Sequence, residues 1–332
     1  MMIKNFICYA LLTALTAVFT FGQKPSPTMM PSPIPQIAPT PVDLEMVLTE
    51  AEKQTAFYQE TFKDLLATEI KTFEKYDKTG DLDERTVIES NFLVYQSSEN
   101  ANRILELRNV LKVDDKLIPD SRSRADRFLG ELAKKKTFDK ELEKLESEGL
   151  RYDRTVRISN LTLYEAITLA KNLRPFFDFK LVSTENYDGS EVFVVSYQQT
   201  RKSPFITIDE KESNEPGVTA DFDISLPGAL KKSDKFLRGK LWIDAKTFQI
   251  RREERLITVQ SNSTPLVAQE SVFEYAPSEF GILVPKKITF TDNNLRKISK
   301  DKEYSAVKNT KVIFDYSKFK KTSVEVNIID EP

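Results

Sequence analysis

FLRGKLWIDAKTFQIRREERLIT, residues 236–258, reads as two strands joined by a polar turn, and the rest of the chain is interpreted outward from it. Alternation in the first arm puts Leu237, Leu241 and Ile243 on one face and Phe236, Arg238, Lys240 and Trp242 on the other, with Asp244 to Thr247 as the reversal. In the second arm, strict alternation groups Phe248 and Ile250 with Arg252, Glu254 and Leu256. It sets Gln249, Arg251, Glu253 and Arg255 on the opposite side. The run from Arg251 to Arg255 then reads as a solvated strand face of both signs, self-complementary with its cross-strand neighbours.

Composition narrows the chemistry around this hairpin. The chain has 332 residues, 40% of them hydrophobic, enough for a real core. Lysine plus arginine number 49 against 51 aspartate plus glutamate, and a net charge of -2 makes no electrostatic case for nucleic acid or an anionic membrane. There is no histidine, so Ser-His-Asp and Cys-His sites are excluded together with the commonest transition-metal ligand. The one cysteine, Cys8, lies in the amino-terminal apolar segment, so a processed chain would hold no thiol nucleophile, zinc thiolate or disulfide. Carboxylate, lysine, tyrosine or Ser-Lys chemistry and oxygen-bound magnesium or calcium stay open in principle, without a motif for any of them.

Residues 1–22 carry Lys4, an apolar run from Phe6 to Phe21, and the small residues Thr20 and Gly22, which is the pattern of a secretory signal. The run is shorter than the roughly 20 apolar residues of a spanning helix, which favours cleavage; the alternative is an amino-terminal anchor. Cys8 stands at the start of the run, where a lipoprotein signal does not place its cysteine. Seven prolines between Gln23 and Asp43 make residues 23–42 an extended linker, spanning on the order of 60 Å at about 3.1 Å per residue.

A single folded domain is expected over 43–332, helix-rich to about residue 175 and an antiparallel meander over 176–328. Asp43 caps a helix from residue 44 to about 65, with Leu44, Val47, Leu48, Ala51, Thr55 and Tyr58 at helical spacing. Strands near 67–77 and 84–96 flank a turn at Thr79 and Gly80, and RILELRNVLKV ends at Asp114 and Asp115. Asp77, Thr79 and Asp81 make a charged turn; a calcium loop would need a closing glutamate that is missing. Residues 121–149 read as a charged amphipathic helix with Phe128, Leu129, Leu132, Phe138, Leu142 and Leu145 on its apolar face. Thr162 and Glu165 form a capping box before a short helix, TLYEAITLAKNL, ended by Arg174 and Pro175. From Phe176 follow FFDFKLVSTEN, SEVFVVSYQQT, SPFITID, the hairpin, LVAQESVFEY, ILVPKKITFTD, YSAVKNTKVIFDY and TSVEVN, with a charged, mobile loop expected over 209–233.

Three stretches, VFVVSYQQ (192–199), LRGKLWIDAKTFQIRREE (237–254) and FEYAPSEFGILVPKKITF (273–290), resemble successive strands of the LolA-type lipoprotein carriers and their outer-membrane lipoprotein-sorting relatives. ESNFLVYQ (89–96), LRNVLKVDDKLIPDSRSR (107–124) and RISNLTLYEAITL (157–169) are similar to an uncharacterised group of secreted bacterial proteins ending in the same sheet. The resemblance spans most of residues 60–320. It implies an α+β fold, a strongly curved antiparallel sheet forming an incomplete barrel, whose concave side is covered by helices and holds a lipid or acyl chain. The segment 121–149 has no counterpart in the carriers, and no site residue carries over one to one.

On that expectation the apolar concave face offers Phe193, Trp242, Phe248, Ile250, Phe273 and Phe290 as ligand contacts, although aromatic packing alone also accounts for Trp242 and the phenylalanines. The leading reading is a secreted, periplasmic, non-enzymatic protein that binds a lipid, an acyl chain or an acylated protein, with no cofactor and no nucleic acid. An envelope-stress sensor or protein-interaction module of the same fold is the alternative. A carboxylate-dependent enzyme ranks third, because Glu253 and Glu254 point to opposite faces of one strand.

Overall fold

The computed structural model describes residues 42–63, 65–96, 104–121, 123, 165–211, 213–261, 264–298 and 303–321. The expected signal segment, linker, 121–149 helix, Thr162 and TSVEVN strand lie at least in part outside the described residues.

Helix α1 (Leu44–Phe62) begins where Asp43 accepts hydrogen bonds from the N–H groups of Glu45 and Met46, as its cap position requires. Its buried stripe, Val47, Leu48, Ala51, Thr55, Tyr58 and Phe62, recurs at the helical period. Strands β1 (Leu65–Tyr76) and β2 (Leu82–Gln96) form the expected hairpin. In its turn the Asp77 carboxylate accepts from the N–H groups of Thr79, Gly80 and Asp81, while Gly80 supplies φ 93°. Strand β3 (Ile104–Val113) ends at Asp114 and Asp115, both at positive φ, and reverses into the two-residue β4 (Lys116–Leu117).

The second half supplies β5 (Phe177–Tyr187), β6 (Ser190–Gln199), β7 (Ile206–Ile208), β8 (Ala220–Phe222), β9 (Lys235–Asp244), β10 (Ile250–Val259), β11 (Leu266–Pro277), β12 (Leu283–Lys297) and β13 (Tyr304–Lys321). Asp188 and Gly189, both at positive φ, make the tight turn between β5 and β6 that two twisted strands favour. Eleven strands build one open antiparallel sheet in the order β4-β3-β2-β1-β13-β12-β11-β10-β9-β6-β5. The first hairpin joins the meander because β1 pairs with β13, from Leu65 opposite Lys321 to Lys75 opposite Thr310.

Three expectations are corrected. SPFITID does not enter the meander: β7 pairs in parallel with β8 as a separate ribbon, and β6 pairs directly with β9. The stretch 209–233, expected as an uninterrupted charged loop, contains β8 and a 3-10 turn at Gly228–Leu230, and its Ala220, Ile224, Leu226 and Leu230 are buried in the main core. Residues 165–173 are not an α-helix. They run as turns with a 3-10 segment at Ile167–Leu169, because Ala166 adopts φ 41° and its neighbours Ile167, Leu169 and Leu173 all turn into the core.

One face of the sheet carries that core, and α1 lies on it: Tyr58 meets Tyr275 edge-on at 6.1 Å and Phe62 meets Phe319 at 6.0 Å. Trp242, Val192 and Val194 form a small cluster apart from it, with Tyr187 packed alongside.

Candidate functional site

Strand β10 sets the local chemistry through one irregularity. The register with β9 shifts between Ile250, opposite Ile243, and Arg252, opposite Trp242. A bulge at Arg251 therefore separates Ile250 from the face of Arg252 and Glu254, against strict alternation. Beyond the bulge Glu253, Arg255 and Ile257 stand opposite Leu241, Gly239 and Leu237, on the core face.

The Arg251–Arg255 run is consequently split rather than solvated. Arg251 donates to Asp244 at 2.7 Å, and Arg252 lies over the Trp242 ring at 5.0 Å and pairs with Glu254 at 2.7 Å. Glu253 is 0% exposed and Arg255 7%. Arg255 grips Glu253 with two parallel bonds of 3.0 Å, Nε to Oε1 and Nη2 to Oε2, and spreads over the Phe273 ring at 4.8 Å.

Two further donors reach Glu253. The Ala166 N–H donates to Oε2 at 3.0 Å. The Tyr197 hydroxyl lies 3.2 Å from Oε1 and 3.0 Å from the Glu254 carbonyl oxygen, sharing its proton between them. Tyr197 gets there by crossing Gly239, where a Cβ would stand 2.5 Å from the phenol oxygen and 1.8 Å from the Glu254 carbonyl oxygen. Glu165, also buried, completes the cluster, and burial together with the Glu253 charge pushes its carboxyl well above the usual range. Burial likewise raises the phenols of Tyr58, Tyr197 and Tyr275.

A second buried cluster occupies β1 and β3. Arg108 donates from Nε to both Glu69 oxygens, at 2.8 and 3.1 Å, and from Nη2 to Glu106 at 3.3 Å, with its guanidinium 5.0 Å above the Phe92 ring. Lys71 lies 5.5 Å from the Phe314 ring centre. Burial and the neighbouring Arg108 lower its ammonium to about 8 against the pull of Glu69. Tyr58 of α1 spans the two clusters, with Tyr275 and Glu165 acting on it from one and Glu106 and Tyr316 from the other. The covered face thus contains a polar seam beneath the helix, balanced by pairing. Among the described residues, no group of three or more acidic, histidine or cysteine side chains is placed to hold a metal ion.

At the β5 end of the same face a groove of about 880 Å³ opens to the surface. Ala56, Pro175, Phe177 and Phe179 supply its apolar part, and Glu52, Lys53, Lys171, Arg174 and Asp178 ring it with both signs. Arg174 binds Glu45 and Glu52 of α1 across this rim.

None of the six residues expected at a ligand face borders this groove. Ile250, Phe273 and Phe290 are buried in the core, and Phe193 and Phe248 are half-buried against it. Trp242 lies on the opposite sheet face and donates its indole N–H to Glu185 at 2.8 Å. Sequence reading missed Tyr197, Glu165 and the groove. The visible signal was Gly239, since a glycine inside a strand marks a close approach.

No protein-family model matches the chain, and no curated protein matches it. Among solved structures it is similar to a DUF1329 family protein from Desulfovibrio piger, at 9% identity over 85% of this chain and 94% of that one, with a TM-score of 0.36. A putative outer-membrane lipoprotein-sorting protein domain from Vibrio parahaemolyticus shares 12% identity over 86% and 96%, with a TM-score of 0.37. A LolA superfamily protein from Nitrosomonas europaea shares 12% over 84% and 93%, with a TM-score of 0.30. No helix among the described residues is long and apolar enough to cross a membrane.

Proposed function

We propose that the chain is a secreted, periplasmic, non-enzymatic binding protein that takes a lipid or the acyl chain of a lipoprotein into the groove between α1 and β5. The observation that carries this reading is an apolar patch, Ala56, Pro175, Phe177 and Phe179, enclosed by charged residues of both signs. Its volume of about 880 Å³ falls in the range of sites for single small ligands. Ile250, Phe273 and Phe290 are buried in the core, so the groove is proposed as the point of entry in place of the face-wide site anticipated from the sequence. Secretion is supported by the signal pattern of residues 1–22.

Native mass spectrometry and lipid extraction of protein purified from the envelope should recover a bound apolar molecule. Fluorescent fatty-acid probes should bind the wild type and lose affinity at least about tenfold in Phe179→Arg, which sets a charge in the apolar patch. Recovery of no apolar molecule together with failure of every probe would end the reading.

The burial of Ile250, Phe273 and Phe290 in the core favours a second reading, a module that recognises an envelope protein. Crosslinking in the periplasm that captures one stoichiometric protein, retained after delipidation, would select it.

A further inference from the structure

The sheet is open, and its two ends differ. One ends in β4, two residues long, whereas β5 at the other end runs for eleven. Strand β6 takes one side of β5, from Phe177 opposite Gln199 to Tyr187 opposite Ser190. Among the described residues no backbone hydrogen bond reaches the other side. A free edge of this length presents a row of N–H and C=O groups to any strand that can lie beside it.

Two features bound the usable part of that row. Pro175 has no N–H to give, and the register with β6 shifts between Leu181 and Ser183, so that Val182 bulges and stands 55% exposed. The stretch between them, Phe177 to Leu181, is regular. Phe177, Phe179 and Leu181 turn to the core face. Asp178 and Lys180 turn away from it, both exposed and neither in an ion pair or side-chain hydrogen bond among the described residues.

We propose that this edge pairs with the same edge of a second copy, antiparallel about a two-fold axis at Phe179. A closed dimer uses one patch twice, and a strand paired with itself about an axis perpendicular to the sheet brings one residue opposite its own copy. Centring on Asp178 sets two carboxylates opposite each other, centring on Lys180 sets two ammonium groups so, and like charges directly opposite are destabilising. Centring on Phe179 sets Asp178 opposite Lys180 twice over and Phe177 opposite Leu181 twice over, with the two Phe179 side chains meeting at the axis. Unlike charges then pair on the outer face while apolar side chains meet on the core face. Phe177 and Phe179 line the groove, so the grooves of the two copies adjoin across the axis. The pairing itself holds whatever the groove binds.

Sedimentation velocity on the full chain, from about 1 µM to about 200 µM, tests the pairing without any ligand. The wild type should pass from monomer to dimer over this range. Asp178→Lys sets lysine against lysine and Lys180→Asp sets aspartate against aspartate, and each should weaken self-association at least about tenfold. Both positions are exposed, so the circular dichroism of the two variants should match the wild type. An equimolar mixture of the single variants should associate as the wild type does, because each copy then meets the opposite charge in the other. The double exchange, Asp178→Lys with Lys180→Asp, should do the same alone. A wild type that stays monomeric overturns the pairing and leaves the edge to an extended segment of another protein. A dimer that both single variants keep uses another face and overturns it equally, as does a dimer lost in them and recovered neither by mixing nor by the double exchange.

Discussion

Gly239 is the position where one missing methyl group decides the site. The Tyr197 ring lies across it, and the phenol reaches Glu253 and the Glu254 carbonyl on the strand beyond. A Cβ there would fall 1.8 Å from that backbone oxygen, which cannot yield as a flexible side chain would. Inside a strand, alanine ordinarily improves on glycine by roughly 0.5–1 kcal/mol, so the sign of the change is diagnostic. Gly239→Ala should instead destabilise by about 3 kcal/mol, read as a lower urea midpoint, because strands β9 and β10 must part and Tyr197 must leave its partners. A neutral or stabilising result would show that Tyr197 is not held across the glycine. At this scale a glycine inside a strand is a signal of close approach that the sequence carries at Gly239, but nothing local could name Tyr197, which belongs to another strand. It also misassigned Glu253 and Arg255, because a bulge at Arg251 hides within a run that alternates on paper, and charge alone argued for solvent.

Strand β1 has a similar contradiction built into it. Its core-facing residues are Leu65, Ala67, Glu69, Lys71 and Phe73, so two charges interrupt an apolar row. Alternation sufficed to identify the strand, whereas the burial of Glu69 depends on Arg108 arriving from β3, a pairing no local pattern encodes. Lys71 gives this arrangement a measurable signature. Its ammonium falls from 10.5 to about 8 in the fold, chiefly through burial and then through Arg108. Between those values the unfolded chain binds more protons, so wild-type stability gains from this group as pH rises. The advantage of Lys71→Met over the wild type should accordingly shrink by on the order of 3 kcal/mol between about pH 7 and about pH 10.5. Urea titrations of the two proteins at each pH measure it, and the buried tyrosines, which ionise near the top of this range only in the unfolded chain, affect both alike. A pH-independent difference would mean that Lys71 is not desolvated. The 165–176 segment failed at the same scale for a related reason: Thr162 and Glu165 have capping-box spacing, yet Glu165 turns into the core and Ala166 takes a left-handed conformation.

At the scale of the molecule the decisive pairing is the least local one, β1 against β13. The meander after residue 176 was legible from its alternating runs, and so was the first hairpin. Their union in one sheet was not, because pairing between distant segments leaves no mark in either of them. That union has a cooperative consequence. β1 is hydrogen-bonded to β2 on one side and β13 on the other, and α1 packs on Tyr275 of β11 and Phe319 of β13. Loss of β1–β3 would expose β13 as an unpaired edge and strip part of the core face beneath the helix. Trp242, the only tryptophan, reports from β9, five places from β1 in strand order. Phe92→Ala empties a fully buried position in β2 and should cost about 3–5 kcal/mol. In one cooperative unit that loss lowers the denaturation midpoint seen by Trp242 fluorescence as much as the midpoint seen by far-ultraviolet circular dichroism. If β1–β3 and the meander were separate folding units, the tryptophan transition would stay at its wild-type midpoint while the dichroism divided into two steps, and the β1–β13 seam would not be the join that unites the sheet.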